Sequence, residues 1–104
     1  MKIATLIALL LFPSIIFAKS TNNLDLALKI IACESSFRPH IWGDDKKSYG
    51  IAQFQKKTFY WLADKAKMKN MDWKLPEHQV RLLMWALDNG YGKYWTCYRK
   101  IKGR

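Results

Sequence analysis

The chain has 104 residues, half of them apolar, and only two cysteines, which bounds it to one domain with at most one intrachain bridge. Eighteen Lys and Arg against eight Asp and Glu leave a formal charge of +10, a field suited to the anionic polymers of a bacterial envelope. There is no arginine-rich stripe and no Cys/His spacing of the zinc type, so nucleic acid is not expected as a partner, and neither a metal nor a cofactor is expected.

Lys2 supplies a positive start, and an apolar run from Ile3 to Phe17 follows, interrupted by Thr5, Pro13 and Ser14. Ala18 offers a small residue at a cleavage edge before polar Lys19-Ser20. A membrane span needs roughly 20 apolar residues. This shorter run with an internal proline reads as a secretion signal over residues 1–18, leaving 19–104 as the working domain, with no stable membrane insertion once the signal is removed. A domain this small gains from a staple. In an oxidising compartment Cys33 and Cys97 are expected to pair within the chain; two buried thiols or a bridge between chains are the alternatives.

Asn22 or Asn23 can cap a first helix, along which Leu24, Ala27, Leu28 and Ile31 recur at helical spacing, with Leu26, Ile30 and Cys33 widening the face. Pro39 places its end near Ser35 or Ser36. Residues 38–50 read as an irregular segment or a small hairpin, with Asp44-Asp45 as turn residues beside Lys46-Lys47. A second helix is expected from Ile51 or Lys56 to about Lys69, with Phe54, Thr58, Trp61 and Leu62 pointing one way. A third covers roughly Leu75 to Leu87 on a stripe of Val80, Leu83, Met84 and Leu87, stopped by Asn89-Gly90. The remaining tail forms a short helix or turn that carries Cys97 inward. The expected class is all-α, three main helices and a tail clamped by one bridge.

Glu34 departs from this pattern. It lies three, four and seven positions after Ile31, Ile30 and Ala27, so it extends the apolar stripe of the first helix. A carboxyl pressed into apolar surroundings prefers to keep its proton, which is what a general acid needs near neutral pH.

Three segments around it resemble the soluble lytic transglycosylases, a family with a lysozyme-like fold. They are Glu34-Ser35 in CESSFRP, the stretch Ser48-Tyr49-Gly50-Ile51-Ala52-Gln53-Phe54, and Ala86-Leu87-Asp88-Asn89-Gly90-Tyr91-Gly92. The resemblance spans about residues 24–95 and implies a small lysozyme-like helical domain, a monomer acting on peptidoglycan glycan strands. It implies cleavage between N-acetylmuramic acid and N-acetylglucosamine, with Glu34 first as acid and then as base, and a 1,6-anhydro product. It also implies a secreted or periplasmic place at the bacterial cell wall.

By their chemistry, Gln53 suits sugar hydroxyl or acetamido groups, and Ser35 or Ser48 suits orienting Glu34 or touching glycan. Tyr49, Tyr91 and Asn89 suit sugar contact, as does Trp42 in the loop beside the cleft. Leu87 and Asp88 stand where the family carries tyrosine and asparagine, and Ala52 where it carries methionine. The alternatives are a lysozyme-type hydrolase using Asp44, Asp45 or Asp88 as base, a non-catalytic envelope-binding module, and a membrane-active cationic protein.

Overall fold

The computed structural model describes residues 23–103; the expected signal, 1–18, lies outside them. Helix α1 occupies residues 23–35. A three-stranded antiparallel sheet follows, built from the two-residue strands β1 (Trp42–Gly43), β2 (Ser48–Tyr49) and β3 (Phe54–Gln55) in the order β1-β2-β3. Trp42 faces Tyr49, and Tyr49 faces Phe54 in turn. Helices α2 (Lys56–Lys65) and α3 (Pro76–Asp88), a 3₁₀ turn at Gly92–Tyr94 and α4 (Thr96–Lys102) complete the domain. The mostly helical class is as the sequence implies. The segment 38–50 resolves as a hairpin.

The core forms where the helical stripes meet. Ala27, Ile30 and Ile31 from α1, Phe59, Leu62 and Ala63 from α2, and Leu82, Leu83 and Ala86 from α3 are all buried. The α3 stripe is therefore rotated from the expected one: Val80, Met84 and Leu87 are only half-buried, and the polar Gln79 is fully buried. In α2, Trp61 turns out to the surface rather than inward. Among the described residues no helix is long and apolar enough to cross a membrane.

Helix ends follow backbone chemistry. Gly90, at φ 84°, lets the Tyr91 N–H reach the Ala86 carbonyl at 2.8 Å and close α3 as expected. The end of α2 comes four residues before Lys69. Lys67 adopts a left-handed φ of 57°, its N–H bonds to the Asp64 carbonyl, and the Met68 N–H bonds to Ala63. This is the closure that usually recruits glycine; with lysine in that place the sequence carries no stop signal.

Cys33 and Cys97 form a disulfide across 64 positions, with Cα atoms 6.0 Å apart. The bridge ties the last turn of α1 to the first turn of α4.

Candidate active site

Glu34 stands in the last turn of α1. That turn ends because Ser36 and Phe37 take left-handed φ values of 54° and 62°. Arg38 then folds back, its Nε donating to the Ser35 carbonyl at 2.9 Å. The guanidinium thus caps a helix end rather than pairing with Glu34. The Ser35 hydroxyl is buried and donates to the Ile51 carbonyl at 2.6 Å, fastening α1 to the loop between β2 and β3.

That loop is held from several sides. Gln79 reaches across from α3: its Oε1 accepts the Ala52 N–H at 2.9 Å, and its Nε2 donates to the carbonyls of Tyr49 at 2.8 Å and Trp73 at 2.7 Å. The indole N–H groups of Trp95 and Trp73 donate to Ala52 and Phe54 carbonyls at 2.8 and 2.9 Å. Gly50 sits at φ 91° against Gln79, where a Cβ would stand 2.5 Å from the amide nitrogen. Gln79 carried a signal the stripe reading missed, since it lies three, four and seven positions before Leu82, Leu83 and Ala86. Gln79→Leu keeps the volume but strands three buried backbone groups. Each costs about 1–3 kcal/mol, so urea denaturation should show a loss of about 3 kcal/mol or more.

A cleft of about 200 Å³ opens beside this loop. Glu34, Asp44, Ser48 and Gln53 line one part of it; Phe54, Gln55, Thr58 and the tail residues Tyr94, Trp95 and Thr96 line the rest. Glu34 is half-buried, and its Oε2 accepts the Cys97 N–H at 3.2 Å, one of the first-turn donors of α4 that no helix carbonyl satisfies. Burial raises its pKa above 4.5. The Cys97 N–H opposes the rise, the negative charge of Asp44 adds to it, and the Lys100 and Arg99 cations pull it down.

Asp44 is a turn residue and also a cleft residue. Three successive left-handed positions, Asp44, Asp45 and Lys46, at φ 52°, 55° and 67°, bend the β1–β2 hairpin. The Ser48 hydroxyl donates to Asp44 Oδ2 at 2.8 Å and holds its carboxylate. The site therefore carries two carboxyl groups from two elements, where the sequence pattern pointed to a single glutamate. Asp88 is exposed at the end of α3, accepts a hydrogen bond from Asn23 and does not line the cleft.

The other expected sugar-contact residues separate. Ser48 and Gln53 reach the cleft, but both N–H bonds of the Gln53 amide go to the Ile41 and Gly50 carbonyls, at 3.0 and 2.9 Å. Ser35, Tyr49, Asn89 and Tyr91 do not line it. The Tyr49 hydroxyl bonds to His40 Nδ1 at 2.8 Å, Asn89 donates to the Trp85 carbonyl, and Tyr91 stacks on Trp85. Trp42 lies outside as well, edge-on to Tyr49 and Trp73 with the Lys74 ammonium over its ring. Tyr94 and Thr96 had no local sequence signal, because only the docking of α4 brings the tail to the cleft; Thr58 reads in the sequence only as part of the α2 stripe.

Residues 27–103 match the family described as Phage tail lysozyme. No curated protein and no solved structure gives a significant match. The family match supports the lysozyme-like fold and corrects the expected chemistry. The family is named for a lysozyme, a hydrolase, whereas the segments in CESSFRP and SYGIAQF had pointed to a lytic transglycosylase, a lyase. Asp44 brings a second carboxyl group to the cleft, which the hydrolase alternative calls for.

Proposed function

The chain belongs to the phage tail lysozyme family, and on that footing we propose that it hydrolyses the glycosidic bond between N-acetylmuramic acid and N-acetylglucosamine in peptidoglycan. The observation that carries this reading is the shared cleft of Glu34 and Asp44. Glu34, whose pKa is raised by burial and by the neighbouring negative charge, gives its proton to the glycosidic oxygen as the bond breaks. Positive charge grows at the muramoyl anomeric carbon. Asp44, steadied by Ser48, answers that charge and directs water to the carbon, as the second carboxylate of a glycosidase does. Gln53 acts by shaping the loop.

Purified sacculi treated with the protein should release new reducing ends, and Glu34→Gln should release few. Sacculi that yield no reducing ends would overturn the reading.

In this account the protein works as a monomer at the cell wall, outside the cytoplasm, with residues 1–18 as its export leader. N-terminal sequencing of the exported protein should then begin at Lys19; a product that starts at Met1 or Lys2 would remove the leader from the account.

A further inference from the structure

The α2 surface next to the cleft has a feature that hydrolysis at Glu34 does not use. Trp61 is 42% exposed, although Phe59 and Leu62 on the same helix are fully buried. Its ring is braced edge-on by Tyr91 and Tyr94, with centroids 5.8 and 5.7 Å away, and Tyr91 is in turn stacked on Trp85. The Lys65 ammonium stands 5.0 Å from the indole centroid. Trp61 also lines an open hollow of about 370 Å³ together with Lys57 and Thr58.

This hollow adjoins the cleft. Thr58 lines both, and Tyr94, 57% exposed, lines the cleft while touching Trp61. A large aromatic ring held rigid at the surface keeps apolar area in water, and its negative face suits the weakly positive C–H groups of a pyranose ring. The ring sits between two lysines, one turn of helix before it and one after.

We propose that Trp61 and Lys57 form a second glycan subsite along the strand from the Glu34–Asp44 cleft. An amino-sugar ring stacks on the indole, and a carboxylate of that sugar's peptide substituent meets the Lys57 ammonium. The inference rests on the proposed peptidoglycan reading and extends it from the scissile bond to a neighbouring sugar. Adjacency to the cleft through Thr58 and the flanking cations favour a glycan bearing acidic peptides over a lipid surface.

The test is steady-state cleavage of soluble glycan chains, with and without their peptide substituents, by the whole protein and by Trp61→Ala, Trp61→Phe and Lys57→Glu. Trp61→Ala should raise KM about tenfold on both chains, the scale of one aromatic contact, with kcat nearly unchanged. Trp61→Phe should restore most of the loss. Lys57→Glu should raise KM more on peptide-bearing chains than on bare ones. Lys57 is exposed, so its variant carries the test even where Trp61→Ala lowers the melting temperature. Unchanged KM for Lys57→Glu on peptide-bearing chains, or for a folded Trp61→Ala on either chain, overturns the subsite. So does a Trp61→Ala protein that detaches from anionic phospholipid vesicles while its KM stands. Wild-type protein that cleaves neither chain overturns the hydrolase reading as well, whereas cleavage by the wild type with matching variants overturns the subsite alone.

Discussion

Glu34→Gln is expected to lower glycan cleavage by at least about 10²-fold, the scale of acid–base catalysis, without unfolding the domain. The amide keeps the side chain's size, and its oxygen can still accept the Cys97 N–H. It has no proton to give the leaving oxygen. The same substitution should leave a thermodynamic trace. Because the folded pKa of Glu34 is raised, its proton favours the fold below 4.5, and that contribution is lost as pH rises through the folded value. Wild type should therefore lose stability relative to Glu34→Gln across that window, and denaturation at acid and neutral pH should show the gap opening.

Asp44→Asn should also cut the rate severely, and it should move the Glu34 titration downward by removing a nearby negative charge. Carbon-detected NMR of the Glu34 carboxyl reads this directly. A Glu34 titration indifferent to Asp44 would separate the two carboxyl groups and undo the pairing on which hydrolysis rests.

The second large effect is expected at the disulfide. Cys33 adjoins Glu34 in sequence, and the Cys97 N–H bonds to the Glu34 carboxylate, so the bridge clamps the acid from both sides. Closing a loop of this length limits the unfolded chain by about 4 kcal/mol in the chain-entropy account. Small domains hold only about 5–15 kcal/mol in total. Reduction, or Cys33→Ser with Cys97→Ser, should lower the melting temperature by about 20 °C. It should also lower kcat at temperatures where the protein remains folded, since α4 would no longer hold its N–H against the carboxylate. A reduced protein with unchanged melting and unchanged kcat would show that the bridge neither supports the fold nor places the acid.

Glu34 stood out because a charged residue occupied an apolar helical position, and the disulfide was legible because two cysteines in a chain expected to be exported leave few choices. Asp44 reads in the sequence as a turn residue, and as one of three possible bases only in the hydrolase alternative; its place in the cleft was not legible. The DDKK pattern reads as a turn and is one, and only the folding of that hairpin beside α1 makes the turn part of a cleft. Trp61 shows the limit of helical periodicity. The spacing of Phe54, Thr58, Trp61 and Leu62 resembles a stripe, but the buried face is set by Phe59, Leu62 and Ala63, which rotates the indole outward. Gln79 shows the converse, a polar side chain drawn into the core because backbone groups there need partners.

In the proposed reaction Glu34 and Asp44 together deliver water to the muramoyl carbon. Its most direct test is digestion of sacculi in ¹⁸O-water with immediate borohydride reduction, followed by mass analysis of the new muramic acid ends. The account predicts reduced N-acetylmuramic acid ends carrying one labelled oxygen, lost in both Glu34→Gln and Asp44→Asn. Unlabelled ends that resist reduction, one water lighter than unreduced N-acetylmuramic acid, would contradict it.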